Sequence, residues 1–365
     1  MARPDTRDYR RLFLEDVPLM DMRAPGEFAQ GAFPGAHSLP LMNDDERARV
    51  GTCYKQRGQA AAIALGHELV AGEVRERRMR AWLDFARDHP RGYLYCFRGG
   101  LRSATVQQWL ARTGVDYPLV LGGYKAMRRF LIDNLEKAVL ERELRLISGR
   151  TGTGKTRVVE ALPRAVDLEG RARHRGSAFG QLPGGQPSQI DFENALSIDL
   201  LKLGAAGDGP VYLEDEGHMI GSVNLPLALR RAMAAAPMVV VQENLAARVA
   251  VVVEDYIVDL GRRYCERFGE ADGPAEHRAK LRADLQRIRK RLGGARHQAV
   301  DEMLQSAFEQ QWRTGDTTAH RDWIASLLRD YYDPMYDYQL RQRGGRVLFR
   351  GSRAEVIAWA GGAAR

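Results

Sequence analysis

LRLISGRTGTGKT, Leu144 to Thr156, joins an apolar run to the spacing G-x-x-x-x-G-K-T. Leu144 to Ser148 reads as a strand, and Arg157 to Leu162 suits a helix. A glycine-rich turn between the two leaves amides unpaired at the helix start, where phosphate oxygens can accept them. Amides from Arg150 to Lys155, in a loop shaped by Gly149, Thr151, Gly152 and Gly154, would cradle a diphosphate. Lys155 would reach its outer phosphate, and Thr156 could ligate Mg²⁺. Downstream, Val211-Tyr212-Leu213 runs into Glu214-Asp215-Glu216. A strand ending in carboxylates suits a hard cation, which makes Glu214 and Asp215 the acidic candidates. Met238 to Val241 reads as a further buried strand. Together these predict a P-loop kinase-like α/β core over residues 144–260, entered through a linker helix at 136–143.

At 365 residues the chain exceeds most single domains, so two are expected. Hydrophobic content of 44% and charge of 28% predict a soluble globular protein. The net charge of +8 favours an anionic partner, either nucleic acid or a phosphorylated substrate. Cys53, Cys96 and Cys265 are too far apart for a disulfide framework or a zinc pattern. No dedicated metal site, haem, flavin or zinc is therefore expected. No apolar run has the length of a membrane span, and the arginine-rich N-terminus has no signal core. The expectation is a cytoplasmic chain with no membrane partner.

CFRGGLRS, Cys96 to Ser103, is a second strand–turn–helix junction, after Tyr93-Leu94-Tyr95. Helix-start amides, Arg98 and Arg102 favour negative charge on the sulfur and on a bound oxyanion. Gly99 and Gly100 allow the backbone to curl inward. A buried cysteine before an ordinary turn is the bland alternative; two arginines in the turn argue for a reactive one. MDMRAPGEFAQGAFPGAHSLP (residues 20–40), CFRGGLRS and LGGYKAMRRFL (residues 121–131) together resemble a rhodanese domain over residues 10–135. That resemblance implies a loop cysteine carrying sulfur or selenium as a persulfide or selenopersulfide. It also matches Asp21 and Arg23 to the family's early acidic and basic positions. Five residues separate Cys96 from Arg102, one more than in the usual sulfur-transferring loop. The longer loop is closer to that of cysteine phosphatases of the same fold, and it can hold a tetrahedral phosphate-sized group.

Residues 261–340 read as mainly helical and basic, and 341–365 as a strand and helix returning to the P-loop core. Arg278 to Arg296 contains eight Lys/Arg residues against one acid, Asp284. Leu281, Leu285, Ile288 and Leu292 share one helical face, leaving the cations on the rest. Arg171, Arg175, Arg282, Arg287, Lys290 and Arg291 are the candidates for an RNA backbone; a solvated charged face is the alternative. Trp312, Trp323, Tyr331, Tyr332, Tyr336 and Tyr338 could stack on bases, although helical spacing favours core packing for most.

VGTCYKQRGQAA, DLEGRARHRGSAFG, QPSQIDFENAL and EDEGHMIGSVNLP, with both loops, closely resemble the tRNA 2-selenouridine synthase family over nearly the whole chain. The resemblance implies a transferase acting on the wobble uridine of tRNA. It implies S-geranylation of 2-thiouridine with geranyl diphosphate, then replacement of the sulfur by selenium from selenophosphate. Cys96 would be catalytic, with Arg98, Gly99, Gly100, Arg102 and Ser103 around the selenophosphate. Mg²⁺ is an optional co-ligand, and the enzyme supplying selenophosphate a candidate partner. Three readings compete: an ATP-dependent tRNA sulfurtransferase, a rhodanese-fold cysteine phosphatase fused to a kinase-like module, and an RNA-binding protein with relic loops.

Overall fold

Two short buried runs, residues 19–21 and 93–95, become a parallel sheet because their side chains find hydrophobic cover on both faces, and the polar run 36–38 pairs beside them as an exposed edge. The computed structural model describes residues 3–342 and 346–362. The chain divides into two units: Met1–Ala138 with Ser188–Ala206, and Val139–Pro187 with Gly207–Arg365. Residues 343–345 and 363–365 of the expected C-terminal strand and helix lie outside the described residues.

In the first unit, β1 (Leu19–Asp21) lies between β2 (Ala36–Ser38) and β3 (Tyr93–Tyr95), all parallel. The expected strand at Leu119 is present as single bridges, Leu94 to Leu119 and Thr6 to Val120. Alternation sends Met20 and Leu94 towards Trp82, Phe85 and Trp109, and sends Leu19, Tyr93 and Tyr95 towards Leu12, Phe13 and Phe33. The helix Asp44–Leu69 starts at a reciprocal cap: Asn43 Oδ1 accepts from Glu46 N at 2.8 Å, and Glu46 Oε2 accepts from Asn43 N at 2.8 Å. It breaks at Gly58, whose φ of 82° is left-handed. Leu101–Ala111 is the helix that follows the Cys96 loop.

One segment departs from the expected boundaries. The helix Gln189–Ala205 lies inside the stretch read as a continuous core over 144–260, yet it packs with the first unit. Ile198 and Leu201 enter the core with Leu12, Phe13 and Leu131. Buried Asn194 donates to Ala32 O at 2.7 Å, and Ala32 N donates to Asp191 Oδ1 at 2.7 Å. The expected linker at 136–143 is the end of a longer helix, Gly123–Glu141, whose Met127 and Leu131 are fully buried.

The second unit is built on a five-stranded parallel sheet. β4 (Leu144–Gly149), β5 (Ala165–Val166), β6 (Val211–Glu214), β9 (Met238–Val241) and β10 (Val347–Gly351) lie in the order β10-β9-β4-β6-β5. A separate hairpin pairs β7 (Met219–Ile220) with β8 (Val223–Asn224). The helical region includes Leu260–Leu292, Gly294–Thr314, His320–Leu327 and Asp333–Gln342. Leu281, Leu285, Ile288 and Leu292 are buried as their spacing predicts, and Trp323 and Tyr332 join them in the core. Trp312 and Tyr338 remain exposed. No helix of the described residues is long and apolar enough to cross a membrane.

Asp21 and Arg23 meet inside the first unit with 0% and 2% of their surfaces exposed. Arg23 donates to both Asp21 oxygens and to Gly31 O, and Tyr95 OH donates to Asp21 Oδ2 at 2.7 Å. Burial, then the Asp21 charge, pushes the Tyr95 phenol well above its usual range. Arg23→Ala would strand a buried carboxylate and should cost about 3–5 kcal/mol in urea unfolding. Tyr95→Phe should cost about 1.5–3 kcal/mol. Equal, small losses would mean that Asp21 is not held as an ion.

Candidate active sites in the two units

β3 delivers Cys96 to the carboxyl end of the first sheet, where the chain turns into the helix Leu101–Ala111. Gly99 takes φ +64°, and among the described residues the amides of Phe97, Arg98, Gly99 and Gly100 donate to no protein acceptor. They form a concavity of N–H groups suited to an oxyanion. The loop is closed from behind by LGGYK. Tyr124 N donates to Cys96 O and Lys125 N to Phe97 O, each at 2.9 Å. A Cβ on Gly123 would collide with the Cys96 carbonyl, so two backbones touch where a side chain has no room. Cys96 is 3% exposed, with Sγ 3.2 Å from Ser103 Oγ. Arg98 points to solvent. Arg102 is engaged: its guanidinium donates to Glu27 at 2.6 and 3.2 Å, with Arg47 also 3.0 Å from that carboxylate. Burial alone would raise Glu27, but the Arg102 bond and charge hold it below the usual carboxylate range.

In the second unit the turn after β4 brings Gly149, Thr151, Gly152, Gly154, Lys155 and Thr156 into one loop ahead of the helix Lys155–Ala161. Gly152 and Gly154 have φ of +82° and +76°. Lys155 Nζ folds back to Gly149 O at 3.3 Å. Buried Arg248 braces the loop, donating to Thr151 O at 2.9 Å while both its terminal nitrogens bind Asp333. The register Ile147↔Glu214 sets the end of β6 beside the loop. Asp215 Oδ2 accepts from Ser148 Oγ at 2.6 Å. Glu214 is fully buried and accepts from Glu169 N at 3.0 Å; its other oxygen has no partner among the described residues.

Glu169 and Glu216 complete this acidic group, and neither was singled out from the sequence. Thr156 Oγ1 donates to Glu169 Oε2 at 3.1 Å. Asp167 caps the short helix Leu168–Ala172 and so presents Glu169, a role for which DLEG directly after β5 was the available signal. Burial first, then the Glu169 and Asp167 charges, pushes Glu214 well above the carboxylate range. Burial and the Glu169 charge push Glu216 up to about 8, with Lys155 opposing. Burial likewise raises Glu169 against the pull of Lys155 and Thr156. Among the described residues no group of three or more His, Cys, Asp or Glu side chains is arranged to hold a metal ion, so this set is an acidic cluster and not by itself a cation site.

The basic candidates separate on inspection. Arg175 binds Asp259 at 2.7 Å and Asp255 at 3.3 Å, and Arg282 binds Asp301 at 2.8 Å. Arg287 pairs with Asp284 and donates to Ala178 O. Arg171 lies on the exposed side of its short helix, and Lys290 and Arg291 are exposed on Leu260–Leu292. Because Glu216 titrates above its unfolded value, its stabilising contribution is full below about pH 4.3 and is lost as pH rises through about 8. Thermal melts across that window should show falling stability of the second unit, and Glu216→Gln should flatten the slope. An unchanged slope would remove the carboxylate cluster as its source.

The family profile described as "tRNA 2-selenouridine synthase AAA domain" matches residues 142–365. A protein named tRNA 2-selenouridine synthase from Alcanivorax borkumensis is 55% identical over 98% of this chain and 99% of its own length. Proteins of the same name from Marinobacter nauticus and Pseudomonas syringae pv. syringae are 52% and 54% identical, covering 98% and 97% of both chains. With a conserved-length match of this kind across both loops, the chain belongs to the tRNA 2-selenouridine synthase family.

Proposed function

We propose that this chain converts wobble 2-thiouridine of tRNA into 2-selenouridine in the cytoplasm, using geranyl diphosphate and then selenophosphate. The observation that carries it is the presence, in a chain matched over 98% of its length by a relative of the family, of both an oxyanion-ready Cys96 loop and a P-loop. We read the first unit as a rhodanese-like domain, on its parallel strands, its loop cysteine after β3 and its Asp21–Arg23 pair. The second is a P-loop kinase-like domain with a basic helical region.

In the first step the thione sulfur attacks C1 of geranyl diphosphate and diphosphate departs. The P-loop amides, Lys155 and Thr156 take up the charge that develops on it. Mg²⁺ would be held chiefly by the diphosphate's own oxygens, with Thr156 and one of the nearby carboxylates, and would supply further neutralisation of the diphosphate.

In the second step selenium enters C2 of the S-geranylated base, geranylthiol leaves, and hydrolysis of the Se–P bond releases phosphate. Selenium in selenophosphate is already at the selenide level, so this sequence balances without an oxidant. A selenopersulfide on Cys96, as the rhodanese resemblance implies, would need two electrons removed. Cys96 is better assigned the proton that converts departing geranylthiolate to geranylthiol, and Ser103, 3.2 Å away, would then turn its hydroxyl proton from Gly100 O to the remaining thiolate. The loop amides and Arg98 hold the phosphate end of selenophosphate, while Arg102 shapes the loop through Glu27. The enzyme that makes selenophosphate is the natural partner.

Incubating thiolated tRNA with both co-substrates, then weighing the nucleosides, tests the reading; absence of geranylated and selenium-bearing uridine would overturn it. Lys155→Ala should lower geranylation about 100-fold or more. Cys96→Ser should spare geranylation and let S-geranyl tRNA accumulate. Lys290→Ala with Arg291→Ala should weaken tRNA binding and reduce the salt slope by about one per lost phosphate contact. An unaltered slope would remove this face from the RNA interface.

A further inference from the structure

A cavity of about 870 Å³ opens in the first unit beside the Cys96 loop, and the steps above leave it without an occupant. Phe97, Leu101 and Arg102, from the loop and the helix it starts, form one wall. The helix Asp44–Leu69 forms another, through Val50, Tyr54 and Ile63. Met42, Val70 and Trp109 make a buried apolar floor. The rim is apolar as well: Tyr54, Ile63 and Leu101 are 58%, 39% and 55% exposed, and all three border this one opening. Large apolar side chains gathered at a concavity mark a surface that a ligand covers.

Charge narrows the choice of ligand. Arg47, Lys55 and Arg102 contribute to the lining against a single acid, Glu27, while Arg23, also on the lining, is neutralised by buried Asp21. Glu27 is spent on Arg102 and Arg47. The occupant therefore combines a hydrocarbon portion with an attached polyanion and reaches the Cys96 loop. The cavity at the P-loop in the other unit is lined by Lys155 and carboxylates together with Val252, Tyr256, Met335 and Tyr336, so it can take the diphosphate and the hydrocarbon of the first step's co-substrate.

Resting on the two-step reading above, we propose that this cavity holds the hydrocarbon tail of S-prenylated RNA while the modified base meets the Cys96 loop. The tail then acts as a handle: prenylation improves the sulfur as a leaving group and also directs the nucleoside to the selenation site. An unmodified thiouridine lacks that handle. Product RNA, having lost the tail as geranylthiol, loses it too, which favours release.

The test uses the full chain and synthetic anticodon stem-loops carrying S-geranyl- or S-methyl-2-thiouridine, with Kd read by fluorescence anisotropy at one salt concentration. Wild-type protein should bind the geranyl RNA at least about tenfold more tightly than the methyl RNA. Gly51 lines the cavity with open space around its missing Cβ, so Gly51→Phe fills it from a helical position. Ile63→Asp instead makes its rim polar. Both should bring the geranyl-to-methyl ratio to within about twofold of one. A wild-type ratio near one, or a preserved ratio in both variants, overturns the proposal, and the wild-type ratio decides it even if a variant fails to fold. Adding selenophosphate separates this from the functional reading. A preserved tenfold preference without 2-selenouridine would sink the reaction and leave the cavity; equal turnover of both RNAs would sink the cavity and leave the reaction.

Discussion

Two arginines sealed away from water hold the architecture on which both loops depend. Arg23, 2% exposed, ties Asp21 on β1 to the Gly31 carbonyl and lies 3.7 Å from the centre of the Tyr124 ring. Tyr95 completes that contact from β3, immediately before Cys96. Arg248, also 2% exposed, ties the Thr151 carbonyl of the P-loop to Asp333. A planar guanidinium with five donors can satisfy a carboxylate and a carbonyl together, which an ammonium on a flexible stem does less well. Removing Arg23 would leave buried Asp21 without its counter-charge, whereas Asp333 would lose its closer partner and keep Arg150 at 3.5 Å. The loops are thus held by charges that bind nothing themselves.

The two candidate sites solve one problem by different means. The Cys96 loop presents free amides and keeps its arginines at the edge, Arg98 in solvent and Arg102 on Glu27. The P-loop sets one lysine among crowded carboxylates, with Glu169, Glu214 and Glu216 all raised by burial, and Glu214 and Glu216 further by the Glu169 charge. The first arrangement offers backbone donors with little negative charge nearby. The second carries more carboxylates than cations, so its charge balance depends on what binds there.

Much of this was legible along the chain. A phosphate-binding loop needs contiguous amides, a glycine-permitted turn and a following helix, so GRTGTGKT and CFRGGLRS each carry their own description. The stripe Leu281, Leu285, Ile288 and Leu292 declared its buried face through its period. Glu169 was not legible in the same way. Its importance comes from the end of β5 lying beside β6, a neighbourhood created by sheet order rather than spacing. The same holds for Arg175 and Arg282, which read as free cations until Asp259 and Asp301 arrive from elsewhere in the fold, whereas Arg287 pairs with Asp284 three residues away on its own helix, within reach of spacing.

The sequence by itself determined the local objects: two strand–loop–helix junctions, a carboxylate-tipped strand, and a basic helix with an apolar seam. These follow from interactions between residues within a few positions of one another, which periodicity and turn chemistry record. Only the tertiary structure decided who surrounds them. It sent the helix Gln189–Ala205 into the first unit, closed the Cys96 loop with Gly123, and gathered Tyr54, Ile63 and Leu101 around one cavity. Those outcomes depend on which apolar faces and buried polar groups found complements far along the chain, and no short-range pattern encodes that choice.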